Sequence, residues 1–507
     1  MRQSQEKPEV EHRESIDDIE KVAPVEELPL DPKMDRRVKL KIDFILMPVL
    51  CFIYALNYVS VFRRIESGRI RLLLDKTALT YASVMGLFKD TGINGTQYSW
   101  VASIYYFGYL VGAYPMVIGL QRFPSAKFTA INIVIWGVAV ACTALCKNYA
   151  GLLGLRFMLG VFEAVIYPAI VMITAEWYKP REQGTRTGVW GSMTAWGCIL
   201  GGAVAYALVE RQTAGTLAIP GWEIVFIWLG AMTVFCGVVF FFFVPDSIEK
   251  AWFLDAEEKA VAHRRTLENK QHIGEREWKW YQVRECLRDP QCYLLLFVTI
   301  CSNIPTGGLT NFFALIVQGL GFTPAETLLL TMGNATLGIA TMVLMFAGDK
   351  ARCRSLVSGL GPLISIAGAA MLWALPAEKK IARLIGFFLC IWNSIATYII
   401  TSFITTNIAG RTKKSVMSGA YLVVFCVGNL IGPQTFREKY APRYAPALIT
   451  HIALTSTNVC LFVVLFLYYR RENARRDREH GPVVPVKKDE WVDLTDVENE
   501  TGFRYVY

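Results

Sequence analysis

Two charged side chains, Arg156 and Glu163, lie inside one apolar stretch of this chain near residues 151–175. They are seven residues apart, so in a helix they share a face and lie about 10 Å apart along its axis. A charged group inside a membrane must face a cavity or a partner. Such a pair can bind an anion and carry a proton. Alternatively, Arg156 anchors the helix at the interface and Glu163 makes a structural bond to a neighbouring helix.

A second set of polar residues lies in the apolar stretch near 291–317. Asn303 and Asn311 flank Pro305 and the adjacent Gly307 and Gly308. Proline and paired glycines interrupt helical hydrogen bonding, and inside a membrane the freed polar groups are tolerated where they line a cavity. The two amides are therefore candidate partners for the amide or ureido groups of a substrate. A kink that serves only helix movement is the alternative.

Composition indicates that these residues belong to a membrane protein. Of 507 residues, 53% are hydrophobic and 19% are charged, whereas soluble domains carry about 25% charge. A helix needs about 20 apolar residues to cross a bilayer. Windows of this kind lie near 42–60, 97–118, 128–146, 151–175, 187–209, 222–244, 291–317, 325–347, 355–375, 381–404, 416–434 and 446–469. We therefore predict an all-α membrane protein with twelve transmembrane helices in two six-helix halves.

The windows divide the chain into five parts. They are a disordered N-terminal tail (1–35), a first half (36–244), a central loop (245–290), a second half (291–469) and a C-terminal tail (470–507). Lys and Arg are more frequent in alternate loops, although the loops at 376–383 and 435–443 break the trend. This bias predicts that both tails and the central loop are cytoplasmic. A short basic loop follows the second span of each half. This echo suggests an internal duplication, which in transporters places the substrate site between the repeats.

Other functional classes fit the sequence poorly. The net charge of +9 comes from short loops between apolar windows, which favours a membrane surface over nucleic acid. The twelve Cys form no CxxC pair, and the five His form no cluster. With no phosphate-cradling loop either, the sequence predicts no metal site, no cofactor and no ATP-driven pumping. Of three Asn-x-Ser/Thr sequons, only that at Asn94 faces outside in this topology, so it is the candidate glycosylation site.

Several motifs resemble one family. The layout and basic loops resemble the major facilitator superfamily, and within it the fungal anion:cation symporter family, the allantoate permease-like group. The matching stretches lie at 41–43, 75–86, 155–164, 176–179, 245–247, 303–311 and 428–436. The resemblance covers roughly residues 36 to 475. It implies the major facilitator fold and proton-coupled uptake of allantoate, ureidosuccinate, nicotinate, pantothenate or a related organic anion.

The resemblance also implies roles for particular residues. In the family an Asp-Lys/Arg pair lies late in the first span, here Asp75 and Lys76. Lys76 would hold a substrate carboxylate and Asp75 would take a proton, with a local ion pair as the alternative. Arg156 resembles the superfamily's fourth-span arginine, which is tied to proton coupling. Asp349 and Arg352, in the second basic loop, would form a gating latch on the cytoplasmic side.

The chain departs from the family between the first span and Asp75. About fifteen residues near 60–74 are interposed, including Arg63, Arg64 and Glu66. Basic residues at the bilayer centre cost about 2.5–3.5 kcal/mol each, so this segment does not continue a lipid-facing helix. It is either an outward loop or a translated intron.

We therefore predict a secondary active transporter that imports a small organic anion with protons as the coupling ion. It would be a monomer with no cofactor, located in the plasma membrane. A transporter-like nutrient sensor is the first alternative, but tails of about 40 residues are short for signalling. A membrane enzyme is the second, and the absence of His clusters disfavours it. If the inserted segment is a retained intron, the product is impaired.

Overall fold

The computed structural model describes most of the chain. The described residues are 32–58, 79, 82–83, 85, 87–179, 182, 186, 189–190, 193, 206–215, 219–271, 278–330, 333, 354–441, 443–481 and 494–506. The fold is all α-helical, as predicted, and no β-strand occurs within those ranges.

Sixteen α-helices account for most of this part of the chain. In order they are α1 (Pro32–Tyr58), α2 (Leu87–Thr91), α3 (Gly95–Arg122), α4 (Ser125–Thr143), α5 (Tyr149–Glu163), α6 (Ile166–Trp177), α7 (Gly221–Phe243), α8 (Ala256–Gln271), α9 (Trp280–Arg288), α10 (Pro290–Gly319), α11 (Pro324–Leu330), α12 (Arg354–Ala374), α13 (Lys380–Cys390), α14 (Ile395–Asn407), α15 (Arg411–Ile431) and α16 (Ala445–His480). Short 3-10 turns lie at Ile391–Ser394, Gly432–Thr435 and Glu438–Tyr440.

The transmembrane windows match these helices closely. Eight spans in the described ranges are long and apolar enough to cross a membrane, and α5 with α6 forms one of them, as do α13 with α14. They fall on the second, third, fourth, sixth, seventh, tenth, eleventh and twelfth windows. Helices α1 and α12 lie at the first and ninth windows. The fifth and eighth windows fall largely outside the described residues.

Local sequence sets where several helices begin. Asn94 caps α3, with its side chain accepting from the Gln97 amide while Gln97 bonds back to the Asn94 amide. This reciprocal capping box satisfies two amides that a helix start leaves unpaired. Asp289 caps α10 with a single bond, since its side chain accepts from the Gln291 amide, and Pro290 follows at the first helical position. These caps set the residues at which α3 and α10 begin.

The chain ends differ from the predicted tails. Helix α1 begins at Pro32, before the predicted start of the first half at residue 36. Helix α16 continues past residue 469 to His480. Hydropathy identifies only the part of a helix that lies in lipid, so it does not detect a polar continuation of the same helix.

Helices α3 and α5 cross at very short range. Gly108 of α3 faces the backbone of Phe157, and Gly160 of α5 faces the carbonyl of Tyr105, so a Cβ at either position would overlap main-chain atoms. Apolar burial gives little drive for helix association inside lipid, so membrane helices depend on close van der Waals packing. Small residues allow that close approach. This crossing holds the face of α5 that carries Arg156 against the rest of the first half.

We predict that Gly160→Ala destabilises the protein by about 1–3 kcal/mol, because the added methyl overpacks a backbone contact. Gly154→Ala is the matched control on the same helix, since a Cβ there meets open space. Thermal unfolding of the detergent-purified variants measures the difference. Equal melting temperatures for the two variants would contradict this packing.

Candidate functional site

Arg156 and Glu163 lie on one buried face of α5. The buried residues of that face are Leu152, Arg156, Leu159, Gly160 and Glu163. Arg156 is 4% exposed and Glu163 is 2% exposed. The predicted common face is therefore present, and both charges lie inside the first six-helix half.

The guanidinium of Arg156 stacks over an aromatic ring. Its Cζ lies 5.7 Å from the centroid of Phe226 in α7, the sixth span. A cation over an aromatic face is attracted by the ring quadrupole, more strongly where water is excluded. This contact fixes part of the orientation of Arg156 deep in the bundle.

Glu163 lies at a break in the fourth span. It is the last residue of α5, and α6 begins at Ile166 after a turn at Ala164 and Val165. Pro168 explains the break, because its ring clashes with the carbonyl of residue 164, four residues earlier. The start of α6 carries partial positive charge, which favours a carboxylate beside it. The fourth span is confirmed as one membrane-crossing length, Tyr149–Trp177, and only the turn within it was not predicted.

Asn303 meets an asparagine of another span. Its Oδ1 accepts a hydrogen bond of 3.2 Å from Asn429 Nδ2 of α15, and its own Nδ2 donates to the carbonyl of Thr299. Both amides are almost fully buried. The seventh and eleventh spans thus share a pair of amide side chains in the interior of the second half.

Two further asparagines bond to Ser302, beside Asn303. Asn393, in the 3-10 turn that interrupts the tenth span, donates to the Ser302 carbonyl over 3.0 Å. Asn458 of α16 donates to Ser302 Oγ over 2.7 Å. Sequence analysis singled out neither Ser302 nor Asn458. The available signal was the repeated occurrence of asparagine in otherwise apolar windows, which marks costly buried polar groups.

Asn311 takes part in a different contact. Its Nδ2 donates to the Gly307 carbonyl of its own helix, and its main-chain oxygen accepts from the Tyr98 hydroxyl of α3 over 2.9 Å. The Tyr98 ring also packs edge-on against Phe312, with centroids 5.3 Å apart. Asn311 therefore joins the two halves and does not pair with Asn303.

A second bond between the halves lies close by. Ser103 Oγ of α3 donates to the Leu430 carbonyl over 2.8 Å and accepts from Gln434 Nε2 over 3.1 Å. We call Tyr98, Ser103, Asn311, Leu430 and Gln434 the interhalf seal. It joins the beginning of the second span to the ends of the seventh and eleventh spans. The halves are therefore in contact at this end of the bundle.

Several buried or paired charges lie at the opposite end of the bundle. There Arg186 makes a two-pronged ion pair with Asp43 of α1, at 2.7 and 3.2 Å. Arg265 of α8 bonds to Asp35, and Lys413 of α15 is surrounded by carboxylates. We call the end of the bundle that bears these five residues the charged face.

One grouping of metal-ligand type occurs within the described ranges, at Glu479, His480 and Glu500 on the charged face. Arg475 donates to both carboxylates of this group. Those oxygens are thus committed to a guanidinium, and the cluster is an ion-pair network.

Several predicted site residues lie outside the described ranges. They are Asp75 and Lys76, the gating residues Asp349 and Arg352, and the inserted segment 60–74. Asn94 is described. It is exposed at the same end of α3 as Tyr98, where its side chain caps the helix.

Comparison with known proteins decides the family. The Major Facilitator Superfamily model matches residues 71–433. The chain belongs to this superfamily. Within it the chain belongs to the fungal allantoate permease-like group, as the relatives show. The allantoate permease of Saccharomyces cerevisiae is 33% identical over 97% of this chain and 90% of its own length. The thiamine pathway transporter THI73 of the same organism is 32% identical over 94% and 87%.

Other relatives and solved structures agree with this assignment. The uncharacterized transporter C417.10 of Schizosaccharomyces pombe is 34% identical over 94% of this chain and 90% of its own. A bacterial homologue of the human lysosomal transporter Spinster, inward-facing and occupied, gives a TM-score of 0.59 at 15% identity, covering 87% of this chain and 98% of that one. The E. coli xylose transporter XylE, partially occluded and inward open, gives 0.58 at 13% identity over 82% and 96%. The chain is thus an integral, multi-pass member of the superfamily with its fold.

We predict that Tyr98→Phe weakens the interhalf seal, because it removes a hydroxyl that donates across the halves. Losing one such bond costs about 0.5–1.5 kcal/mol, which shifts a two-state equilibrium several-fold. Spin labels at Thr96→Cys and Lys439→Cys, in a background without native cysteines, report the distance across this end. The longer-distance population should grow.

Tyr114→Phe is the control, since Tyr114 lies exposed on the same helix. An unchanged distance distribution in Tyr98→Phe, or an equal change in Tyr114→Phe, would contradict the role given to this hydroxyl.

Proposed function

We propose that this transporter imports a small organic anion together with protons across the plasma membrane, as a monomer with both termini in the cytoplasm. Allantoate is the first candidate substrate, with ureidosuccinate, nicotinate and pantothenate as further members of the same chemical class. Protons are the coupling ion, and the proposal needs no cofactor.

One observation carries this proposal: a guanidinium and a carboxylate are buried on the same face of the fourth span. Burying charge in a membrane protein is costly, and such residues mark substrate and ion pathways. The 33% identity to an allantoate permease over nearly the whole chain supports an anionic substrate. Arg156 would attract the substrate carboxylate, and Glu163 would take up the proton.

The membrane potential explains why Arg156 and Glu163 would act together. Each negative charge that enters a cell costs about 2.3 kcal/mol per 100 mV of inside-negative potential. A proton that moves with each anion charge cancels this cost. With Glu163 protonated, Arg156 would lose a nearby counter-charge and bind an anion more strongly. Proton binding would thereby favour substrate binding at the same helix.

The distribution of basic residues supports this orientation. Lys and Arg at the charged face support a cytoplasmic location for that end. The interhalf seal would then close the outer side, and the described state would be inward-facing. The inward-facing relatives among the solved structures support this assignment. Asn94 would lie outside, where it can be glycosylated.

The remaining polar residues would complete the substrate path. Asn303, with Asn429, would bond amide or ureido groups, and Asn311 would act through the seal. Lys76 is proposed as a second cation for the substrate and Asp75 as a second proton site. Asp349 and Arg352 are proposed to latch the cytoplasmic side during closure.

We predict saturable uptake of labelled allantoate at acidic external pH by yeast cells that express this chain and lack their own permease. A protonophore should abolish accumulation, because it removes the proton gradient. Unlabelled nicotinate, pantothenate, biotin, dipeptides and thiamine, added as competitors, rank the substrates. Competition by thiamine alone would contradict an anion site.

Two substitutions separate the proposed roles in the same assay. Glu163→Gln should lose proton-driven accumulation but keep exchange of labelled for unlabelled substrate, because the neutral glutamine resembles protonated Glu163 and leaves Arg156 able to bind the anion. Arg156→Gln should lose both. Glu210→Gln is the matched control, since Glu210 is exposed. Accumulation by Glu163→Gln that equals the control would remove Glu163 from proton coupling.

A further inference from the structure

The last residues of the chain fold back onto the charged face. We call residues 494–506 the clamp segment. Asn407, at the end of α14, donates to the Val506 carbonyl and accepts from the Val506 amide, at 2.7 and 2.9 Å. Asn473 of α16 makes the same pair of bonds to Tyr505, at 2.8 and 2.9 Å. Two side-chain amides thus act as backbone-like partners that hold the segment in one register.

A buried lysine holds the other end of the clamp segment. Lys413 of α15 is fully buried. Its Nζ lies 2.7 Å from Asp289 Oδ2 and 2.9 Å from Glu285 Oε1. Asp496 supplies a third carboxylate oxygen at 2.9 Å, and its other oxygen accepts from Gln291. A buried ion needs such partners to offset its desolvation. This end of the clamp segment is therefore held by charge.

The first half has an equivalent device. Glu258 of α8, which follows the sixth span, accepts from Lys41 at 2.6 Å, and Arg265 bonds to Asp35 and to Glu182. Burial is the largest single influence on the pKa of Glu258 and raises it, but Lys41, the Asp255 amide and Arg37 together outweigh burial and leave that pKa lowered. Each half is thus capped by the chain that follows its last span.

Thr495 lies where the clamp segment meets these charges. It is fully buried, and its Oγ1 donates to Glu285 Oε2 over 2.9 Å. The same oxygen accepts from the Glu498 amide. Its methyl packs on Gly410, which has a φ of +82° and leaves no room for a Cβ beside Thr495. The hydroxyl is enclosed by carboxylates and backbone, so a larger anionic group cannot fit there.

The sequence around Thr495 is typical of a phosphorylation site. Asp496 and Glu498 follow it at the first and third positions, the pattern favoured by acidic-directed protein kinases. A phosphate adds about −1.5 to −2 charges at neutral pH. Lys413 is already shared by three carboxylates, and the other buried cation, Arg476, is committed to Glu472, the Asp496 carbonyl and the Tyr505 hydroxyl. Added negative charge here would meet repulsion from Glu285 and its neighbours.

We propose that Thr495 is a phosphorylation site and that its modification releases the clamp segment from the charged face. The terminal phosphoryl group of ATP forms a bond to Thr495 Oγ1, the bond to ADP breaks, and the hydroxyl proton passes to the kinase base. Because docked Thr495 is buried, the kinase acts on the undocked fraction and traps it. The inference rests on the cytoplasmic location of the C-terminus that the proposed function assigns.

The test uses the full-length purified protein incubated with an acidic-directed kinase and ATP. Mass spectrometry should find phosphate on Thr495. Hydrogen exchange in the peptide that spans residues 494–506 should then accelerate by about tenfold or more, because exchange tracks local opening. Exchange in α8 should stay unchanged. Absence of phosphate on Thr495, or an unchanged exchange rate in its presence, would overturn the proposal.

Variants supply the control for charge. Thr495→Glu should accelerate the same exchange, whereas Thr501→Glu, which adds the same charge at an exposed position of the segment, should not. Adding Glu285→Gln to Thr495→Glu should restore part of the protection if repulsion is the cause. Equal rates in the two glutamate variants would contradict the mechanism. Should Thr495→Glu fail to fold, the kinase arm on the unmodified sequence still decides.

These readouts do not depend on transport. A protein that moves no anion can pass them, and a functional importer can fail them. The orientation is checked separately, because protein isolated from fungal cells should carry the phosphate only if the C-terminus faces the kinases of the cytoplasm.

Discussion

Charge in a low-dielectric interior is the constraint on which this structure depends. An unpaired charge in the bilayer costs several kcal/mol, so each buried charge must be compensated where it lies. The protein concentrates such residues in two places. One is the interior face of α5, where Arg156 lies over Phe226 and Glu163 ends the helix next to the start of α6. The other is the charged face, where Lys413 and Arg265 are enclosed by carboxylates.

The charged face and the interhalf seal have different roles in a protein that alternates between conformations. At the charged face, partners come from the same half, so those contacts can persist while the halves move relative to each other. The interhalf seal is built from few, mostly neutral bonds, such as Tyr98 to Asn311 and Ser103 to Leu430. Neutral hydrogen bonds contribute only about 0.5–1.5 kcal/mol each. A seal of this kind can open without a large penalty, whereas each half stays intact.

Much of the fold could be predicted from sequence, because lipid imposes a simple length and polarity rule. Hydropathy placed α10 at 291–317, and the structure has Pro290–Gly319. The common face of Arg156 and Glu163 followed from helical spacing alone. The break after Glu163 was missed, although Pro168 carries the signal. The partner of Asn303 was also missed, since Asn429 is distant in sequence and only tertiary packing joins them. Asn311 lies eight residues after Asn303, about 12 Å further along the helix, so it contacts Tyr98 at the seal instead.

The coupling of anion to proton through the fourth span is the central claim, and proton flux measures it most directly. The purified protein would be reconstituted in liposomes that contain a pH-sensitive dye, and the best substrate from the uptake assay would be added outside. The account predicts that the lumen acidifies as the anion enters, with at least one proton per anion charge, and that Glu163→Gln abolishes the acidification. Entry of the anion with no change in luminal pH would contradict it.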